Sequence, residues 1–152
     1  MRKFDPETAV AAMELEQIVA DYWQEIDDNG GCGAADFFTE DCVVQLGSSS
    51  FKGHAGVTKY YADRLEKIRV TQKDGVRTTR HSFSNLRMSF ENNNRATLRF
   101  LIIGYAAAGS APVANATVPA GVSDMRFECR RDPEGHWMIC EFYGSAVFVG
   151  GV

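Results

Sequence analysis

Three histidines, a scatter of carboxylates and four cysteines are the side chains here with the chemistry to move protons, attack carbon or hold a metal. His81 stands in the alternating stretch Thr78 to Phe90, where a period of two puts His81, Phe83 and Asn85 on one face. An imidazole titrates near neutral pH and is the natural base for removing a proton from carbon. A carboxylate on its other ring nitrogen would hold the tautomer and stabilise the imidazolium. Asp27, near the end of a helical stretch, could supply that carboxylate if folding closes the chain between the two. Taken alone, a single histidine on an alternating strand is more often a hydrogen-bonded structural residue. Asp27-Asp28 is not a carboxylate pair, because adjacent helix residues do not face each other. His54 at a helix entry and His136 in a hairpin turn read as structural or solvated. Cys32, Cys42, Cys129 and Cys140 are spread singly, without the paired spacing of a zinc site, so neither metal nor disulfide is expected.

The elements that must position these groups are legible in the periodicity. Asp5-Pro6-Glu7 starts a helix with an N-cap, a proline at the first helical position and acid in the first turn. Leu15, Ile18, Val19, Tyr22 and Ile26 form its apolar stripe, Trp23 and Asp27 lie on one flank at about 100° per residue, and Asn29-Gly30-Gly31 ends it. A helical turn over Ala34 to Phe38 leads to a strand over Cys42 to Leu46, a turn at Gly47 to Ser50, and a helix from Ala55 to Ile68. Val57, Tyr60, Tyr61, Leu65 and Ile68 are spaced for that helix's inner face. Strands follow over Thr78 to Phe90, Arg95 to Tyr105, Gly121 to Arg131 and Trp137 to Phe148. Ala106 to Pro119 is uncharged and rich in small residues, and is expected to be a mobile lid. Helices first and strands afterwards predict an α+β fold, one domain over 1–152, with helices packed on the concave side of a strongly curved antiparallel sheet.

At 152 residues, 45% hydrophobic and 24% charged, the chain suits one globular domain and not a disordered segment. A net charge of −4 disfavours a nucleic-acid partner. With no run of about 18 apolar residues and an acidic start where a signal peptide would be apolar, no membrane partner is expected and the cytoplasm is the expected location.

Five stretches, in order, are similar to one family: Tyr22-Trp23-Gln24-Glu25-Ile26-Asp27, Asp36 to Val44, Phe51 to Val57, Thr78 to Leu86, and the hairpin from Phe127 to Ile139. From about Ala12 to Phe148 the chain resembles the SnoaL-like branch of the nuclear-transport-factor-2-like superfamily, which includes scytalone dehydratase-like and hexachlorocyclohexane dehydrochlorinase-like enzymes. The resemblance implies a cone-shaped, cystatin-like fold and an acid/base dyad that uses no cofactor or metal. The matching positions are Asp27 and His81. Positions that are basic in the dehydrochlorinase branch look like Tyr22 and Phe142 here, and no second histidine lies between His81 and His136, so the reaction type does not carry over.

The implied function is a cofactor-independent lyase or isomerase, of dehydration, elimination or retro-aldol type, acting on a small hydrophobic, aromatic molecule. The alternative is a non-catalytic ligand-binding or assembly module of the same fold. Trp23, Tyr22, Tyr61, Phe83, Phe100, Phe142 and Tyr143 are the candidate aromatic lining, with Tyr60 and Phe148 as further candidates for the concave surface. Asn85, Tyr105 and Ser123 are the candidate polar contacts. Core packing competes for most of these aromatics. A homodimer through the sheet's outer face is expected, with a homotrimer as the alternative, because Met138, Val147 and Val149 are apolar at that edge.

Overall fold

The computed structural model describes residues 4–114 and 118–150. Helix α1 (Pro6–Asn29) opens as its cap chemistry requires: the Asp5 carboxylate accepts the Thr8 N–H at 2.8 Å, and Gly30 closes the helix at φ +66°. A 3-10 turn at Ala34–Phe37 leads into β1 (Phe38–Leu46), then β2 (Ser49–Lys52), α2 (Gly53–Thr71), β3 (Arg77–Asn92), β4 (Arg95–Ala108), β5 (Gly121–Arg131) and β6 (Trp137–Val149). The six strands form one curved, unclosed sheet in the order β2-β1-β6-β5-β4-β3. Its pairs are antiparallel except β1 with β6, which run parallel.

Two local expectations differ from this. β1 begins at Phe38 rather than Cys42, and Ser49–Lys52, expected to be turn and helix entry, is a short strand that pairs back on β1. A serine run carries no hydrophobic alternation, so only the tight Gly47-Ser48 reversal and the backbone pairing reveal that strand. The expected lid is also shorter. Ala106 to Ala108 finish β4, and Gly109 is tied to β3 by its N–H to Val76 O (2.9 Å) and its carbonyl to Thr78 Oγ1 (2.7 Å). Residues 115–117 of that stretch lie outside the described residues.

The core sits between the helices and one face of the sheet. α1 buries Ala11, Leu15, Val19, Tyr22, Trp23 and Ile26, and α2 buries only Val57 and Tyr61. Alternating residues of the sheet meet them: Val44, Leu98, Phe100, Phe127, Ile139 and Phe142. Tyr22 is 1% exposed and makes edge-to-face contacts with Phe37, Phe38, Phe127 and Phe142 at centroid distances of 5.7 to 5.8 Å. Its hydroxyl is hydrogen-bonded to that of Tyr61. Burial raises the pKa of both phenols, so both stay protonated at neutral pH.

This pair yields a stability prediction. Tyr22→Phe removes one partner and leaves a buried Tyr61 hydroxyl, so it should cost about 1–3 kcal/mol. The double change to Phe at both positions should cost less than the sum of the two single changes. Urea unfolding of the four proteins measures this, and strict additivity would show that the hydroxyls are not coupled.

Candidate active site

One face of α1 carries the first half of the site. Trp23 and Asp27 are four residues apart and therefore stack along the helix. Asp27 reaches across to β3, 54 residues further along the chain. Its Oδ1 lies 2.7 Å from His81 Nδ1, its Oδ2 accepts the His81 backbone N–H at 2.7 Å, and Thr79 Oγ1 donates to Oδ1 at 2.8 Å. A carboxylate can only accept, so Nδ1 of the neutral ring carries the proton and Nε2 presents a lone pair. The Trp23 indole covers the imidazole with ring centroids 4.6 Å apart, at 30°. Gly104 is His81's register partner on β4, and a β-carbon there would lie 3.5 Å from Nε2. A larger side chain would cover that nitrogen; glycine leaves it open.

The pair is largely withdrawn from water, with side chains 17% exposed for His81 and 8% for Asp27. Burial acts to raise the Asp27 pKa. The hydrogen bonds from the His81 ring, the His81 N–H and Thr79 outweigh it, and the carboxyl sits below its ordinary value. The unfolded value is near 3.9, so the stability contributed by this ionised carboxylate is whole above that pH and is lost as pH falls through the lower folded value. The stability difference between wild type and Asp27→Asn should therefore narrow below about pH 4. Denaturant titrations from pH 7 to pH 3 test it; a constant difference would refute it.

His81 and Trp23 form part of the wall of a cavity of about 270 Å³. Tyr61, Ser123 and Phe142 line it too, as do Tyr60, Met125 and Arg64. Five residues named for substrate contact are thus brought to the His81 side of the sheet or its covering helices: Trp23, Tyr61, Ser123 and Phe142 in the wall, and Phe83 half-buried nearby against Phe100. Tyr22 and Phe100 are core, closed off by their aromatic neighbours.

Asn85, Tyr105 and Tyr143 lie away from the cavity, for reasons of register. Two residues of β3 stand against one of β4 between Ser84 and Arg87, and Asn85 takes φ +55° in this bulge. The bulge reverses the alternation, so Leu86, Met88 and Phe90 turn inward and Asn85 is exposed. Tyr105 pairs with Arg80, next to the Gly104–His81 pair, and so stands on the opposite face, 40% exposed. An extra residue at Cys140 leaves Phe142 inward and Tyr143 outward, where its hydroxyl donates to Glu141 and its ring carries Arg126. Another at Val147 turns Phe148 out, 67% exposed. Asn85 and Tyr143 border a separate outer groove of about 990 Å³ with Arg87, Arg99 and Arg126.

Thr79 and Arg64 were not among the sequence candidates. Thr79 shares His81's face by simple alternation. Arg64 occupies an inward position of the Val57-Tyr60-Tyr61 stripe, and a charge in an apolar stripe was its signal. Asp28 faces away, with Oδ1 3.8 Å from Arg80. Among the described residues no group of three or more His, Cys, Asp or Glu is placed to hold a metal, and no helix is long and apolar enough to cross a membrane.

Comparison with known proteins agrees with this architecture. ActVI-ORFA of Streptomyces coelicolor superimposes with a TM-score of 0.75 at 16% identity, over 90% of this chain and 97% of that one. Hexachlorocyclohexane dehydrochlorinase of Novosphingobium barchaimii gives 0.76 at 13% identity, over 98% and 94%. A candidate scytalone dehydratase of Novosphingobium aromaticivorans gives 0.71 at 19%, over 93% and 87%. At these identities the likeness is one of fold. No curated protein matches the sequence. The model of the SnoaL-like domain matches residues 7–143, nearly the whole chain, and the protein belongs to that family.

Proposed function

We propose that the protein is a cofactor-independent lyase or isomerase acting on a small hydrophobic, aromatic molecule, with His81 as the base and Asp27 as the residue that orients it. The observation that carries this reading is the doubly held Asp27 carboxylate, which accepts both the ring and backbone N–H of a histidine in a cavity wall. His81 Nε2 takes a proton from a substrate carbon bearing an acidified C–H. The electron pair left behind forms a carbon–carbon double bond as a leaving group departs, or an enolate with a neighbouring carbonyl, which the imidazolium reprotonates at another carbon. In the first case the imidazolium returns its proton to the departing oxygen, which leaves as water. Asp27 stabilises the imidazolium in between. Ser123 and Tyr60 are hydroxyl-bearing wall residues available to a substrate oxygen, whereas the Tyr61 hydroxyl is already paired with that of Tyr22.

The test is turnover without added metal or cofactor. A panel of aryl β-hydroxy ketones, aryl β-halo ketones and β,γ-unsaturated ketones is incubated with wild type and His81→Gln, and products are followed by chromatography. Product from wild type alone supports the proposal. Ligand binding without turnover across the panel would make the protein a binding module instead.

Self-association belongs to the same proposal. Val147, Phe148 and Val149 are 46%, 67% and 83% exposed along the end of β6, more apolar surface than a solvated strand end needs. A dimer at micromolar concentration is expected by light scattering, and a monomer mass would refute it.

A further inference from the structure

The cavity holds a charge that the dyad does not use. Arg64 lies on the α2 face that carries Val57, Tyr60 and Tyr61, at positions i, i+3, i+4 and i+7. It is half-buried and shares the cavity wall with His81, Trp23 and Phe142. Arg69, Arg80, Arg126, Arg130 and Arg131 each have a carboxylate within ion-pair distance. Arg77, Arg87, Arg95 and Arg99 are exposed to water. Arg64 has neither condition: among the described residues it makes no hydrogen bond or ion pair, and it is partly withdrawn from solvent.

No Asp or Glu lines the cavity. The remaining titratable groups in its wall are His81, Tyr60 and Tyr61. Asp27 is behind His81 and already accepts three hydrogen bonds. An uncompensated guanidinium in a low-dielectric wall favours an anion beside it, because apolar surroundings strengthen the attraction and repel competing water. The planar fork of its N–H groups matches a carboxylate with two parallel hydrogen bonds. One arginine neutralises one negative charge, so a carboxylate fits better than a doubly charged phosphate.

We infer that Arg64 is a substrate-binding residue and that the natural substrate is an aromatic carboxylic acid, its carboxylate on Arg64 and its ring among Trp23, Phe142 and Met125. This deepens the proposed function and rests on the same cavity being the substrate site. His81 on β3 and Arg64 on α2 come from different elements, so a molecule bridging them is held at one end while its reactive carbon is presented to Nε2. A volume near 270 Å³ limits that molecule to about one or two rings.

The probes are benzoate and 2-naphthoate with their uncharged, nearly isosteric amides, measured by calorimetry at pH 7. Wild type should prefer each acid over its amide by about tenfold or more, the scale of one charge-assisted hydrogen bond. Arg64→Gln should abolish that preference while leaving amide affinity nearly unchanged, and Arg64→Lys should retain part of it. His81→Gln should keep the preference. Equal affinity of wild type for acid and amide, binding of neither, or a preference that survives Arg64→Gln would overturn the inference. Because these readings need no turnover, they can fail while the dyad stands, and loss of turnover in His81→Gln can be absent while they hold.

Discussion

Replacing His81 by Gln should lower turnover by roughly 10²–10⁴-fold, the contribution expected of one well-placed proton-transfer group. Glutamine keeps the backbone N–H that Asp27 Oδ2 accepts, and its amide can still meet Oδ1, so the local hydrogen bonding survives. What it lacks is a basic lone pair at the Nε2 position. The loss should therefore fall on kcat, with KM changed little, since the imidazole is one wall residue among many. Wild-type activity should decline as pH falls and the imidazole is protonated, and that acid limb should be missing from the residual activity of the variant. EDTA should leave wild-type turnover unchanged. If His81→Gln, shown to be folded by circular dichroism, keeps near wild-type kcat on the true substrate, the base is another group.

Asp27→Asn should produce a comparable loss by a different route. Asn can turn its amide NH₂ toward Nδ1, which stabilises the tautomer with the proton on Nε2 and removes the base's lone pair from the cavity. It also leaves the imidazolium without a counter-charge. Circular dichroism separates this from simple misfolding: the variant should keep the wild-type spectrum. Asp28→Asn should change little, as that side chain is 49% exposed and meets Arg80 and Gln24, not His81. Thr79→Val should fall between the two, since it removes one of three hydrogen bonds to Asp27. Equal, small effects of Asp27→Asn and Asp28→Asn would remove Asp27 from the mechanism.

The Asp27–His81 contact was legible before any coordinates. Helix periodicity placed Asp27 on the flank of an apolar stripe, strand alternation placed His81 on a face with Phe83 and Asn85, and the family resemblance joined the two. The two helices and the four long C-terminal strands were equally legible, because caps such as Asp5-Pro6 and runs such as Leu15 to Ile26 act within a few residues of themselves, whereas the short strand Ser49–Lys52 was not. The lining was read less well. Asn85 and Phe148 were assigned by continuing an alternation that bulges interrupt, at Asn85 and Val147, and those bulges exist only relative to the partner strand.

Local chemistry in the sequence by itself determined the helices, the order of the strands, and which residues could be base and orienter. The tertiary structure alone decided which side of the sheet each side chain faces beyond a bulge, that β1 joins β6 in parallel, and that Arg64 shares a wall with His81. The physical reason is range. Capping and periodicity are settled within one or two turns of chain, whereas register and cavity walls are set by pairings between segments tens of residues apart, whose competing alignments no local pattern ranks.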